Sequence, residues 1–260
     1  MYRPNHLKSR ILAGEKSLGT WVQSASAVNA EMAAAAGFDF IIVDQEHGPG
    51  GLDAAIGQMR AAAGAEATVV VRVPPNDPVY VKRLVEGGVE ALLVPMVDTP
   101  EQARAIVEAC RFPPRGTRGD AWDIARCSSY GFAPDYRAAA DENLLIIVQI
   151  ETATAVENAR AIAEVDGVDM LFIGPSDLSS SIGLAGQTGA PEVERLIART
   201  VQTVRAVGKP LATVPRQGRT WRQLFDEGFV MVPWGSDIAF YRQALSGVMD
   251  DYRDWRTTAP

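Results

Sequence analysis

Short apolar runs and longer amphipathic segments alternate along almost the whole chain. The runs read as strands over Leu18–Val22, Phe38–Val43, Thr68–Val73, Ala91–Val97, Leu144–Ile150, Met170–Ile173, Leu211–Val214 and Phe229–Val232. Between them lie alanine-rich stretches with helical periodicity: Asn29–Ala36, Leu52–Ala63, Tyr80–Glu86, Glu101–Cys110, Ala155–Glu164, Glu192–Val207 and Thr220–Glu227, with a last helix over about Ile238–Arg253. Glycines directly after Ala36, Glu86, Val207 and Glu227 stand where helices are expected to stop. Strand runs that are apolar throughout, each followed by a helix, imply a parallel sheet covered on its outer face. Eight such pairs predict a (β/α)8 barrel, with a doubly wound open sheet as the competing architecture. No repeat or linker divides the chain, so one domain over 1–260 is expected. The stretch 112–143 is the longest without a clear period, and its arginines and aromatics suggest a lid or an interface element.

In a parallel barrel, chemistry gathers where strands end. The run to Val43 continues into Asp44-Gln45-Glu46-His47. A histidine after acids can be held as a general base, or can simply cap the next helix. Arg72 follows three valines, where a charge needs a partner. It is either a ligand for an oxyanion or one half of an ion pair with Asp44 or Glu46. Trp21 ends the first run and can line a pocket mouth or fill the core.

The fifth and sixth runs end in Gln149-Ile150-Glu151 and Gly174-Pro175-Ser176-Asp177. Neighbouring strands lie about 4.8 Å apart, so one divalent cation can reach both Glu151 and Asp177. Each acid alone could be a helix cap. Together, with no thiolate and no paired histidines, they suit a hard ion such as Mg²⁺ or Mn²⁺. Gln149 shares the face of Glu151, and Gly174 allows close backbone approach. Gly235-Ser236-Asp237 can cap the last helix or contact an anion.

Bulk properties narrow the class. The 260 residues carry 25 basic and 32 acidic side chains, a net charge of −7 that argues against nucleic acid or an anionic membrane as partner. Neither a signal peptide nor a long apolar segment is visible, and two cysteines make no disulfide framework, so a cytoplasmic protein is expected. Four lysines occur; Lys82 sits in a helix and Lys209 before the seventh strand, so none is placed for a Schiff base. Gly48-Pro49-Gly50-Gly51 lacks the lysine and spacing of a phosphate loop.

Taken in order, Gly19-Thr20-Trp21, Ala35 to Asp39, Asp44-Gln45-Glu46-His47, Val71-Arg72-Val73, Leu93 to Thr99, Pro113 to Gly119, Val148 to Glu151 and Ile173 to Asp177 resemble the HpcH/HpaI aldolase family, the metal-dependent pyruvate aldolases. The resemblance implies a (β/α)8 barrel whose last helix is exchanged between subunits of a hexamer built as a trimer of dimers. It implies that Glu151 and Asp177 hold Mg²⁺, Mn²⁺ or Co²⁺, with Gln149, Gly174, Pro175 and Ser176 around the 2-oxo acid. Arg72 would contact the enolate oxygen, His47 supported by Asp44 would move protons, and Trp21 would lie near the aldehyde. Glu46 would back the site, and Glu86 stands where relatives carry an aspartate that reaches a neighbouring subunit's histidine. Asp120-Ala121-Trp122 replaces a glycine-containing stretch of relatives, and this bulk is expected to alter the pocket near the aldehyde. The implied reaction is reversible cleavage of a 4-hydroxy-2-oxo acid to pyruvate and an aldehyde. Other fates of the same enolate (decarboxylation of oxaloacetate, or addition to another acceptor), a CoA-ester lyase and a 2-oxo-acid-binding barrel without activity are the alternatives.

Overall fold

The structure is a computed structural model that describes residues 2–74 and 77–258. Eight parallel strands close on themselves in chain order: β1 (Ser17–Val22), β2 (Phe40–Asp44), β3 (Thr68–Arg72), β4 (Ala91–Val94), β5 (Leu145–Ile150), β6 (Met170–Ile173), β7 (Leu211–Thr213) and β8 (Met231–Ser236). β8 pairs back onto β1, with Leu18 opposite Val232, so no edge remains and the open doubly wound sheet is excluded. Helices α2 (Ala27–Ala35), α3 (Leu52–Ala61), α4 (Pro78–Glu86), α5 (Pro100–Cys110), α7 (Ala153–Ala163), α9 (Pro191–Ala206) and α10 (Trp221–Asp226) run back along the outside. Their starts are sharply signalled. Thr99 and Thr220 each form a complete capping box with a glutamine three residues on, and Ser26, Asp77 and Thr152 cap through their side chains.

Strand alternation divides the apolar residues into two cores. Ile41, Val43, Val69, Val71, Ile146 and Val148 face outward into the layer beneath the helices. Phe40, Ile42, Val70, Leu93, Leu145, Ile147 and Phe172 fill the barrel interior. The interior needs a floor, and a helix outside the sequence expectation supplies it. α1 (His6–Leu12) is capped by Asn5 and inserts Leu7 and Ile11, 1% and 0% exposed, into the interior cluster. The N-terminal segment is therefore anchored to the barrel. Its seven residues were too few for a period to show.

The stretch 112–143 contains two single 3-10 turns and α6 (Tyr136–Asn143). It joins the end of α5 to the start of β5, both at the N-terminal end of the barrel. Arg118 is its anchor: the buried guanidinium donates to Glu86 Oε1 (2.8 Å) and Cys127 Sγ (3.2 Å) and stacks on Phe112 at 4.3 Å. Arg126 reaches the Gly87 carbonyl at 2.7 Å, and Tyr2 packs edge-on against Tyr136. The segment therefore does not close over this chain's own strand ends. Asp120 pairs with Arg137 at 3.0 Å and Trp122 lies on Tyr136, so the bulk expected to reshape the aldehyde pocket sits at the opposite end of the same barrel.

Two further helices follow strand ends. α8 (Pro175–Ser181) begins immediately after β6. α11 (Asp237–Thr258) runs for 22 residues without a buried side chain, and Ile238, Tyr241, Leu245, Val248, Tyr252 and Trp255 are all exposed on it. Among the described residues no helix is long and apolar enough to cross a membrane.

Candidate active site

The inward positions of three strands turn polar as they leave the barrel. On β2 the series Phe40, Ile42 arrives at Asp44; on β3 Val70 gives way to Arg72; on β5 Leu145 and Ile147 are followed by Gln149 and then Glu151. Cross-strand register sets Asp44 opposite Arg72 and Ile150 opposite Ile173, which brings Glu151 beside Gly174. Parallel pairing and period-two alternation therefore deliver an acid–arginine pair and a second acid to one mouth.

Asp44 and Arg72 form a two-point ion pair, Nε to Oδ1 at 2.9 Å and Nη2 to Oδ2 at 2.6 Å. The guanidinium also lies 3.2 Å from Glu46 Oε2 and stacks over the Trp21 ring at 4.3 Å. Both readings of Arg72 as an ion-pair partner thus hold in geometry. Because the pair is bidentate and stacked, the remaining donor edge points in a fixed direction. Asp44 is held below the usual carboxylate range: burial raises it, and the Arg72 bonds together with Gln23 and the His47 amide outweigh that. Glu46 is raised by burial, with Arg72 opposing and Asp44 and Asp177 adding to the rise. Trp21 meets Phe172 edge-on, so the ring is a wall between arginine and barrel interior as much as a pocket lining.

His47 needs a correction in its support. Asp44 Oδ1 accepts from the His47 backbone amide at 3.2 Å, not from its ring. The nearest acid to the imidazole is Glu46, whose Oε2 stands 3.9 Å from Nε2, and the ring is 57% exposed. The histidine is thus held at its backbone while its ring faces the open mouth. Glu86 is likewise not brought to this mouth. It ends α4 at the far end of the barrel, where Arg118 takes it.

Glu151 is 1% exposed and is pushed up to about 7, mainly by burial, with Glu46 and Asp177 adding negative charge and the Met96 amide and Gln149 opposing. Its Oε1 accepts from Met96 N–H at 2.6 Å, and its Oε2 accepts from the Gln149 amide. Met96 went unassigned in the sequence. Its backbone is left-handed, φ 56°, which turns that amide toward the acid, and a non-glycine residue in that region is strained. Gly174 explains its own identity. A Cβ there would stand 2.7 Å from Glu151 Oε2, so any side chain would displace the carboxylate. Asp177 lies exposed in the first turn of α8, directly after Pro175 and Ser176.

The donors fit a hard divalent cation. Glu151 is a buried acid crowded by other acids, and the side-chain oxygen Oε1 of Gln149 is buried without a hydrogen-bond partner among the described residues. Hard oxygen donors and uncompensated negative charge are what such an ion binds. Among the described residues no three His, Cys, Asp or Glu side chains converge to hold a metal. Glu151 and Asp177 are the two carboxylates at this mouth that could hold such an ion while leaving positions for substrate and water.

Comparison with known proteins shows the family. A hydroxypyruvate/pyruvate aldolase of Cupriavidus necator is 38% identical over 256 residues, covering 98% of this chain and 95% of that protein. A 2-keto-3-deoxy-L-rhamnonate aldolase of Klebsiella pneumoniae is 38% identical over 93% of this chain and 90% of its own length. The crystal structure of an HpcH/HpaI aldolase/citrate lyase family protein from Burkholderia cenocepacia superposes with a TM-score of 0.90 at 32% identity, covering 96% of this chain and 99% of that one. The sequence pattern of the family matches residues 17–244, and the chain belongs to the HpcH/HpaI aldolase/citrate lyase family.

Proposed function

We propose that the protein is a carbon–carbon lyase that reversibly cleaves a 4-hydroxy-2-oxo acid into pyruvate and an aldehyde, with Glu151 and Asp177 holding Mg²⁺, Mn²⁺ or Co²⁺. The observation that supports it best is the adjacency of a surplus-acid cluster and a fixed arginine: Glu151 with Glu46 and Asp177 around it, and Arg72 locked beside them. When bound, the ion supplies Lewis-acid polarisation of the 2-oxo group. The residues of the chain do the rest. Arg72 offers its fixed donor edge to oxygen as negative charge develops there. Gly174, Pro175 and Ser176 give the carboxylate of the 2-oxo acid a close backbone bed beside Glu151. The exposed His47 ring is free to take the C4 hydroxyl proton in cleavage and to return it in synthesis.

A homo-oligomer completes the reading. The α11 stripe of Ile238, Tyr241, Leu245, Val248, Tyr252 and Trp255 recurs at three- and four-residue steps, the spacing of a helix face built for another helix. It supports exchange of this helix between subunits of a hexamer, and in such an assembly Glu86 can serve only a neighbour's site. Two free, buried cysteines suit the cytoplasm.

Incubating metal-stripped enzyme with pyruvate in D₂O, before and after each ion is added, tests the reaction without a guess at the aldehyde. Ion-dependent loss of the methyl proton signal is the expected result. Folded protein that binds pyruvate yet exchanges nothing with any of the three ions would overturn the reading.

A further inference from the structure

A carboxylate–guanidinium pair is planar, and its plane is defined only when both ends are held. In Asp44, Oδ1 is well fixed: it takes Arg72 Nε and the amides of Glu46 (3.1 Å) and His47 (3.2 Å). Among the described residues Oδ2 takes only Arg72 Nη2 and one further donor, Gln23 Nε2 at 3.0 Å. Without that second donor the carboxylate could pivot about Oδ1 and carry the guanidinium with it. Gln23 is itself seated firmly. Its backbone amide donates to Asp237 Oδ1 at 2.8 Å, and Asp237 also accepts from Ser24, from Asn29 Nδ2 at 3.0 Å and from the Ile238 amide at 2.8 Å. Trp21, two residues before Gln23, bears on the other partner of the pair by stacking on Arg72. The end of β1 thus grips both halves of the ion pair.

We propose that Gln23 is a positioning residue for enolate formation: it fixes the rotation of the Asp44 carboxylate and so the direction in which Arg72 presents its donors. This rests on the aldolase reading above. A donor that serves developing charge must be aimed at where that charge appears, and a small rotation of a planar group moves its hydrogens off line. Gln23 touches neither substrate nor ion in this scheme. Its loss should therefore slow turnover without weakening pyruvate binding.

The test measures deuterium incorporated into pyruvate at C3, by mass spectrometry, with whichever ion supports the wild-type enzyme. Gln23→Leu should lower kcat for exchange about tenfold, with KM for pyruvate within about twofold, the size expected for one hydrogen bond to a charged group. In an Arg72→Lys background the same change should cost nothing further, because two residues acting through one contact are not additive. A wild-type rate in Gln23→Leu, losses that multiply in the double variant, or a loss carried wholly by KM would each overturn the inference. Gln23→Met, read in the same way, replaces Gln23→Leu if the latter fails to fold. No exchange by the wild type would overturn the aldolase reading itself; exchange by the wild type with an unaltered Gln23 variant would overturn this inference alone.

Discussion

Two arginines invite comparison, one at each end of the barrel. Arg72 and Arg118 are both buried, 7% and 2% exposed, both paired with an acid, and both stacked on aromatic rings at 4.3 Å. Their surroundings differ in what is left over. Around Arg118, one arginine meets Glu86, Cys127 and Tyr136, and every strong charge is answered. Around Arg72, one arginine meets Asp44 and Glu46, with Glu151 and Asp177 behind them. A buried ion pair by itself marks nothing, since such pairs serve structure as readily as chemistry. Charge that the protein leaves uncompensated in a buried place is the better sign of a ligand.

The comparison breaks first at the acids. Glu151→Gln together with Asp177→Asn should abolish ion-dependent exchange, a loss of at least about 10³-fold, while the fold survives, because each change removes negative charge from a crowded site. Undiminished activity in that double variant, with a normal melt, would show that the surplus acid is not what makes this end functional. The arginines come next and should part company. Arg72→Met should cut exchange by roughly 10²- to 10³-fold, the cost of removing one preorganised donor. Arg118→Met should leave the residual site chemistry of each folded molecule intact but destabilise it by about 3 kcal/mol, as breaking a buried pair does. Denaturant melts and exchange rates on both variants measure this; equal effects on rate would collapse the distinction.

The two ends were also unequally legible in the sequence. At the functional end, polar residues interrupt apolar runs: Arg72 after three valines, and Glu151 after a run ending Val148-Gln149-Ile150. Strand alternation then places them, so Asp44, Arg72, Gln149 and Glu151 share the mouth as the pattern implied. At the other end little could be read. α1 has two anchoring residues in seven, and α6 sits inside a stretch rich in glycine, proline and charge. The destination of 112–143 follows from connectivity: a segment between a helix end and a strand start stays at the N-terminal end unless it crosses the barrel. What no single-residue pattern carries is a backbone contact, such as the strained Met96 amide at Glu151, or a link across 21 positions such as Gln23 to Asp44.

His47 sharpens the comparison within the functional end. In the proposed reaction Arg72 serves the enolate and His47 serves the C4 hydroxyl, so their variants should separate the half-reactions. His47→Asn should leave pyruvate exchange within about threefold of the wild type yet slow cleavage of a 4-hydroxy-2-oxo acid about 10²-fold, a typical contribution of a general base. An equal loss in both assays would place the histidine at the enolate step instead.

The gentlest test is pH, and its sign follows from the acids. Glu151 titrates near 7 in the metal-free fold against 4.5 for an ordinary glutamic acid. Between those values the fold holds a proton that the unfolded chain has released, so the metal-free protein loses stability as pH rises, on the order of 3 kcal/mol in all. An ion that needs the carboxylate must displace the same proton. Its affinity should rise about tenfold per pH unit up to about 7 and then level, with close to one proton released per ion at pH 6 and close to none at pH 8. Calorimetry in buffers of different ionisation enthalpy counts those protons. Because the Glu46 carboxylate adds to the rise, Glu46→Gln should move the break to lower pH, whereas Glu90→Gln, which removes an acid paired with Arg3 at the opposite end of the barrel, should not move it. A break that ignores Glu46, or that shifts with Glu90, would mean that the two ends differ in fold alone and not in their charge.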